Sequence, residues 1–281
     1  MIIPCWGHSM LKTVHAIAGL VLLASASTAA GGTSQARAHA AIVADILHAD
    51  YTADLAGLLR LYDELAPPPE PTKTAARVRY WRGFARWRRA INGVNDGAPI
   101  DQMVDDLQTA VREFDFALDI DPQFIDAQAG LLSSLGIQLF LSSGDGARLH
   151  PLIDRARPRL TAARSVTHDN PRMIWVIGQA EWQAPAGWTR DQVLERQERV
   201  MASYVRGLAL SRAQRPADSL DPAWGEPELL MNLAWSHLNK AVPDVAAADR
   251  YAKAALALVP HWHYVRDILV PQIEAARKKV R

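Results

Sequence analysis

Cysteine is almost absent: Cys5 is the only one in 281 residues. That excludes an internal disulfide framework and any structural zinc site built on thiolates. An excess of one charge is missing too, with 31 Lys+Arg against 30 Asp+Glu and a formal net charge of +1. A chain so balanced has no broad field to draw in nucleic acid or an anionic lipid surface. Alternating β-branched runs, the mark of half-buried strands, do not occur. Nor does a His-Glu-x-x-His, a nucleophile elbow, a phosphate-loop lysine motif or a dinucleotide fingerprint. We therefore assign no catalytic residue, metal ligand or cofactor, and expect a protein that is not an enzyme. With 49% hydrophobic and 22% charged residues, the chain has ample material for a packed core.

The one sustained uncharged, apolar stretch lies near the start. Lys12 is followed by Thr13–Ala30, apolar from Val14 to Ala24 and then small-residued from Ser25 to Ala30. A basic residue, a short apolar segment and a small-residue exit describe a secretory signal peptide over 1–30. Cleavage is expected after Ala29 or Ala30, with Ala36-Arg37-Ala38 as a later site and Met10 as an alternative start. The competing reading is an uncleaved membrane anchor, although a spanning helix needs about 20 apolar residues. Removal of the leader takes away Lys12 and Cys5, leaving a thiol-free chain with equal numbers of basic and acidic residues. The expected location is the periplasm or the exterior, with membrane contact only through an uncleaved leader.

Elsewhere apolar residues recur at three- and four-residue steps, the helical period. Residues 31–71 hold one helix, about Ala40 to Leu65, and the stiff connector Pro67-Pro68-Pro69-Glu70-Pro71. The spacing within 72–281 predicts further helices over about 74–92, 99–120, 125–141, 173–182, 189–212, 228–240, 245–259 and 262–278. The span 149–166 is helical in composition, but Pro151 and Pro158 predict one or two breaks in it. The longest loop is expected at 214–227, which carries Pro216, Pro222, Gly225 and Pro227. About ten helices joined by short turns pack as antiparallel neighbours, so the fold class is all-α.

Two stretches share a spacing. Ala110-x-x-x-Phe114-x-x-Ala117-Leu118-x-x-x-Pro122 is repeated as Ala248-x-x-x-Ala252-x-x-Ala255-Leu256-x-x-x-Pro260, and Tyr204-x-x-Gly207-Leu208 is a third, partial copy. Tyr80-Trp81-Arg82-Gly83-Phe84 supplies an aromatic and a glycine on the preceding helix. Together they resemble the tetratricopeptide repeat, with insertions that break its 34-residue period. The resemblance implies an α-α superhelix of antiparallel pairs whose concave groove binds a protein or peptide.

Candidate binding residues follow from two patterns. Arg79, Arg82, Arg86 and Arg89 fall within an arc of about 80° on one helix, opposite Tyr80, Phe84, Trp87 and Ile91, with Trp81 between the faces. Four aligned guanidinium groups and an indole suit a carboxylate, phosphate or sulfate, which opens a second reading: a transport-associated subunit carrying a small anionic ligand. The same arginines could instead pair with Asp105, Asp106, Glu113 and Asp115 on the next helix. Trp188 and Trp224 lie in loop-like segments, where an exposed indole would anchor a partner. His261 and His263 diverge on a helix and do not form a metal pair.

Overall fold

The computed structural model describes residues 39–166 and 169–280, so the leader, residues 1–30, lies outside the described part. The described residues hold α-helices and one π-helical segment, and no strand: α1 (His39–Tyr51), α2 (Leu55–Glu64), α3 (Lys73–Asp96), α4 (Ile100–Ile120), α5 (Ile125–Leu141), α6 (Gly146–Val166), α7 (Pro171–Glu181), α8 (Arg190–Ala213), α9 (Glu226–Asn239), α10 (Val245–Leu258), the π segment Tyr264–Leu269, and α11 (Val270–Val280). Each helix packs chiefly on its chain neighbours. A second set of contacts joins α1 to α3, α3 to α5, α5 to α7 and α7 to α9. Helices α1, α3, α5, α7 and α9 thus form an inner layer and most even-numbered ones an outer layer, an all-α superhelical arrangement.

Local chemistry sets the boundaries. Asn170 caps α7 through the backbone N–H groups of Arg172 and Met173, with Pro171 at the first turn. Thr189 and Gln192 close a reciprocal capping box on α8. Three expectations need correction. The single helix expected over 40–65 is two, because Ala53 takes a positive φ of 55° and Asp54 caps a new helix by accepting from Gly57 N. No break occurs in α6: Pro151 and Pro158 both lie on its exposed side, where water can meet the carbonyls their missing N–H groups leave free. The last helix widens at Tyr264–Leu269, just ahead of Pro271, whose ring crowds the carbonyl four residues back.

Close approach of the layers depends on glycine facing an aromatic ring. An added Cβ at Gly83 on α3 would come within 2.8 Å of the Phe114 ring on α4, and one at Gly130 on α5 within 2.3 Å of the same ring. The pair α7/α8 uses the same device, with Gly178 beneath Tyr204 at 2.3 Å. In α10 the corresponding small positions Ala248, Ala252 and Ala255 are all buried.

The ends of the array are tied together. Tyr51 of α1 donates to Glu228 of α9 across 177 residues at 2.8 Å. His263 bridges Asp96, the last residue of α3, and Asp267, at 2.9 Å on either ring nitrogen. Arg266 also bonds Asp267, whose carboxyl is held far below its usual range chiefly by that guanidinium.

Two outcomes follow. Gly130→Ala should cost about 1–3 kcal/mol in urea unfolding, and Phe114→Leu introduced with it should recover part of the loss by making room. Burial opposes the charge on His263, but its bonds to Asp96 and Asp267 outweigh burial and raise its pKa above 6.5. A raised histidine stabilises the fold fully below its unfolded value and loses that contribution as pH rises through the folded one. Thermal melts should therefore show wild type declining relative to His263→Gln as pH rises above about 6.5.

Candidate functional site

The arginine stripe of α3 faces into the protein. Arg79 Nη1 and Arg82 Nε each meet a Glu113 carboxylate oxygen at 2.9 Å. Arg82 Nη1 donates to the carbonyls of Tyr62 (2.7 Å) and Leu65 (2.9 Å), and its guanidinium lies 4.0 Å from the centroid of the Tyr62 ring. Arg86 pairs with Asp105, and its Nε lies 3.0 Å from Asp106 without hydrogen-bond geometry. Arg89 binds both oxygens of Asp106, at 2.7 and 2.8 Å, and the Leu55 carbonyl at 2.9 Å. The four guanidinium groups thus neutralise three acids of α4 and seize carbonyls at both ends of α2. They serve as a dock for α2, and no anion-binding cluster is left open to solvent along the stripe.

The tryptophans divide. Trp188 is 36% exposed, with the Arg196 guanidinium 5.4 Å from its ring centroid. Trp81 and Trp224 are buried, and both belong to one contact. Residues 214–225, which connect α8 to α9, fold back onto α3, about 140 positions earlier in the chain, and onto α7, about 50 positions earlier. There Trp81 Nε1 donates to the Leu220 carbonyl at 2.8 Å and Arg77 Nε to Asp221 at 2.5 Å. Arg172 Nη1 donates to the Trp224 carbonyl and to Gln214, both at 2.8 Å. The Trp224 indole donates to the Tyr80 hydroxyl at 2.7 Å and packs edge-on against Trp87 and Trp175, at 5.9 and 5.8 Å. Gly225, at φ 133°, makes the turn that sends Trp224 inward and starts α9. The inner face therefore holds a loop of its own chain, turned at 217–221, by main-chain carbonyls, one carboxylate and one indole.

Beneath this segment is a charge cluster that the periodicity did not mark. Arg88 of α3, 4% exposed, bonds Asp50 of α1 at 2.8 Å and lies over the rings of Phe84, Trp87 and Trp175. Asn92 donates to the backbone and side-chain oxygens of Asp50 at 3.0 Å. Burial works against the Arg88 charge, yet Asp50 and Glu228 outweigh it and hold its pKa above the ordinary value. Glu228 is fully buried; burial pushes its pKa up, against the pull of Arg88 and Tyr51. Arg88 falls in neither the arginine stripe nor the aromatic face of α3, so nothing in the spacing marked this cluster.

Among the described residues no three or more His, Cys, Asp or Glu side chains are grouped to hold a metal. None of the described helices is long and apolar enough to cross a membrane. A cleft among α5, α6 and α7, lined by Ser133, Ile137, Leu160, Val176 and Gln179, has a volume of about 30 Å³, the share of one water rather than a ligand. The arrangement supplies hydrogen-bond donors from α3 and α7 to a loop of the chain. Comparison of the chain with protein-family models, with curated proteins and with solved structures finds no match.

Arg88→Ala should destabilise the fold by about 3–5 kcal/mol, because it leaves Asp50 and Glu228 buried without a counter-charge. Arg88→Met, which keeps the volume, should cost nearly as much. Equilibrium urea unfolding measures both.

Proposed function

We propose that the protein is an exported, non-enzymatic scaffold of tetratricopeptide-like build that holds a protein or peptide partner on its inner face. The observation that carries this reading is segment 214–225. Four helix side chains, Arg77, Trp81, Arg172 and the Tyr80 hydroxyl, already grip a loop of this chain there. Three of these contacts are to main-chain carbonyls or to a single acid, chemistry that a partner peptide with an acidic residue and an indole can meet equally well. A partner of that kind competes with the segment for the inner face. Location in the periplasm or outside the cell rests on the leader over 1–30, and the reading of the array as a scaffold rests on the repeat-like spacing and the absence of a catalytic constellation. The alternative, carriage of a small anion on the arginine stripe, draws no support from guanidinium groups committed to Glu113, Asp105 and Asp106.

Pull-down from an envelope extract with the tagged full-length chain tests the reading. One stoichiometric protein partner is expected, on a mature chain whose N-terminal sequence begins at Ala30 or Gly31. Asp221→Ala frees Arg77 and should raise capture severalfold; a partner-free preparation carrying a bound small anion would favour the carrier instead.

A further inference from the structure

Tertiary folding brings together two histidines that lie 213 residues apart in the chain. His48 is on α1 and His261 in the turn before the π segment, and their ring centroids are 4.9 Å apart with planes inclined at 43°. Both side chains are exposed, and among the described residues neither ring has a hydrogen-bond or ion-pair partner. Both positions are held from beneath. Trp262, 2% exposed, packs edge-on against Tyr51 at 5.1 Å; Tyr51 lies one turn beyond His48 and is bonded to buried Glu228. The edge of the Tyr51 ring also faces His261 at 6.4 Å. Two solvent-facing imidazoles are thus mounted on a rigid base.

We propose that His48 and His261 form a two-ligand site for a borderline divalent transition ion of the Zn²⁺, Ni²⁺ or Cu²⁺ class, its remaining positions filled by water. Neutral imidazole is the side chain these ions favour, and oxygen-seeking Mg²⁺ and Ca²⁺ do not choose it. Two rings bound through nitrogens about 2.0–2.1 Å from one ion, at near-tetrahedral angles, have centroids about 5 Å apart. The observed separation matches. Because the ligands come from α1 and from the C-terminal unit, the bound ion clips the two ends of the array together and stabilises the folded chain over the unfolded one. The site uses none of the residues proposed above for partner binding, and the inference stands without that reading.

Titration of the untagged chain with Zn²⁺ tests the proposal, read by calorimetry and by thermal melts. One ion per chain should bind, and about 100 µM Zn²⁺ should raise Tm by roughly 3 °C, reversibly with chelator. Both signals should vanish in His48→Ala and in His261→Ala, whose exposed side chains can be removed without unpacking the core, and should persist in His150→Ala, on the exposed side of α6. The proposal is overturned if Zn²⁺ binding survives in the His48/His261 double variant, if Mg²⁺ gives the same shift, or if the wild-type chain shows no shift. Circular dichroism confirms that each variant is folded before titration.

Discussion

A buried cation with two buried carboxylates is the constraint on which the array depends. Arg88 sits where α1, α3 and α9 converge, bonded to Asp50 and close to Glu228, with three aromatic rings around it. Taking such charges out of water is costly, and their mutual attraction repays the cost only when the partners are accurately placed. Accurate placement requires that α1 reach α9, which Tyr51 secures through Glu228. The cluster thus converts an open stack of helix pairs into one whose first helix is tied to its last pair.

Around that centre the inner layer is filled from within. A superhelix of helix pairs ordinarily leaves its inner face for something else to occupy. Here Trp224 and the carbonyls of residues 220–224 occupy it, gripped by side chains from α3 and α7. The outer layer carries a separate electrostatic system, in which the arginines of α3 neutralise the acids of α4 and hold α2 by its carbonyls. Arginine suits both systems because its fork can bind a carboxylate and a carbonyl at once. One helix, α3, therefore carries the docking of α2, the central cluster and the grip on segment 214–225 on three adjoining faces.

Much of the fold was legible along the chain. The helical period and the pairing of a glycine, Gly83, with Phe114 in the repeat-like spacing were visible in the sequence; Gly130, the second close approach to that ring, was not. Misreadings arose where a local rule was softened by its surroundings. Pro151 and Pro158 were tolerated because their side of α6 faces water, and the break after Tyr51 came from Asp54, a cap inside an otherwise continuous apolar stripe. Of the seven candidate site residues, the four arginines lay on a common face as their spacing required. Their partners decided what that face did: Glu113, Asp105 and Asp106 turned it inward.

By itself, then, the sequence determined the helices, their order and the small-against-large matching that lets neighbours approach, because those depend on periodicity and side-chain size. Only the tertiary structure decided which polar groups meet. Asp50 with Arg88, Trp224 with Tyr80, and His48 with His261 are separated by between 38 and 213 residues. No periodicity links positions that far apart; they become neighbours only when the superhelix closes. Those meetings are fixed only by closure of the fold, which is why the architecture could be read from the residues in order and the polar contacts could not.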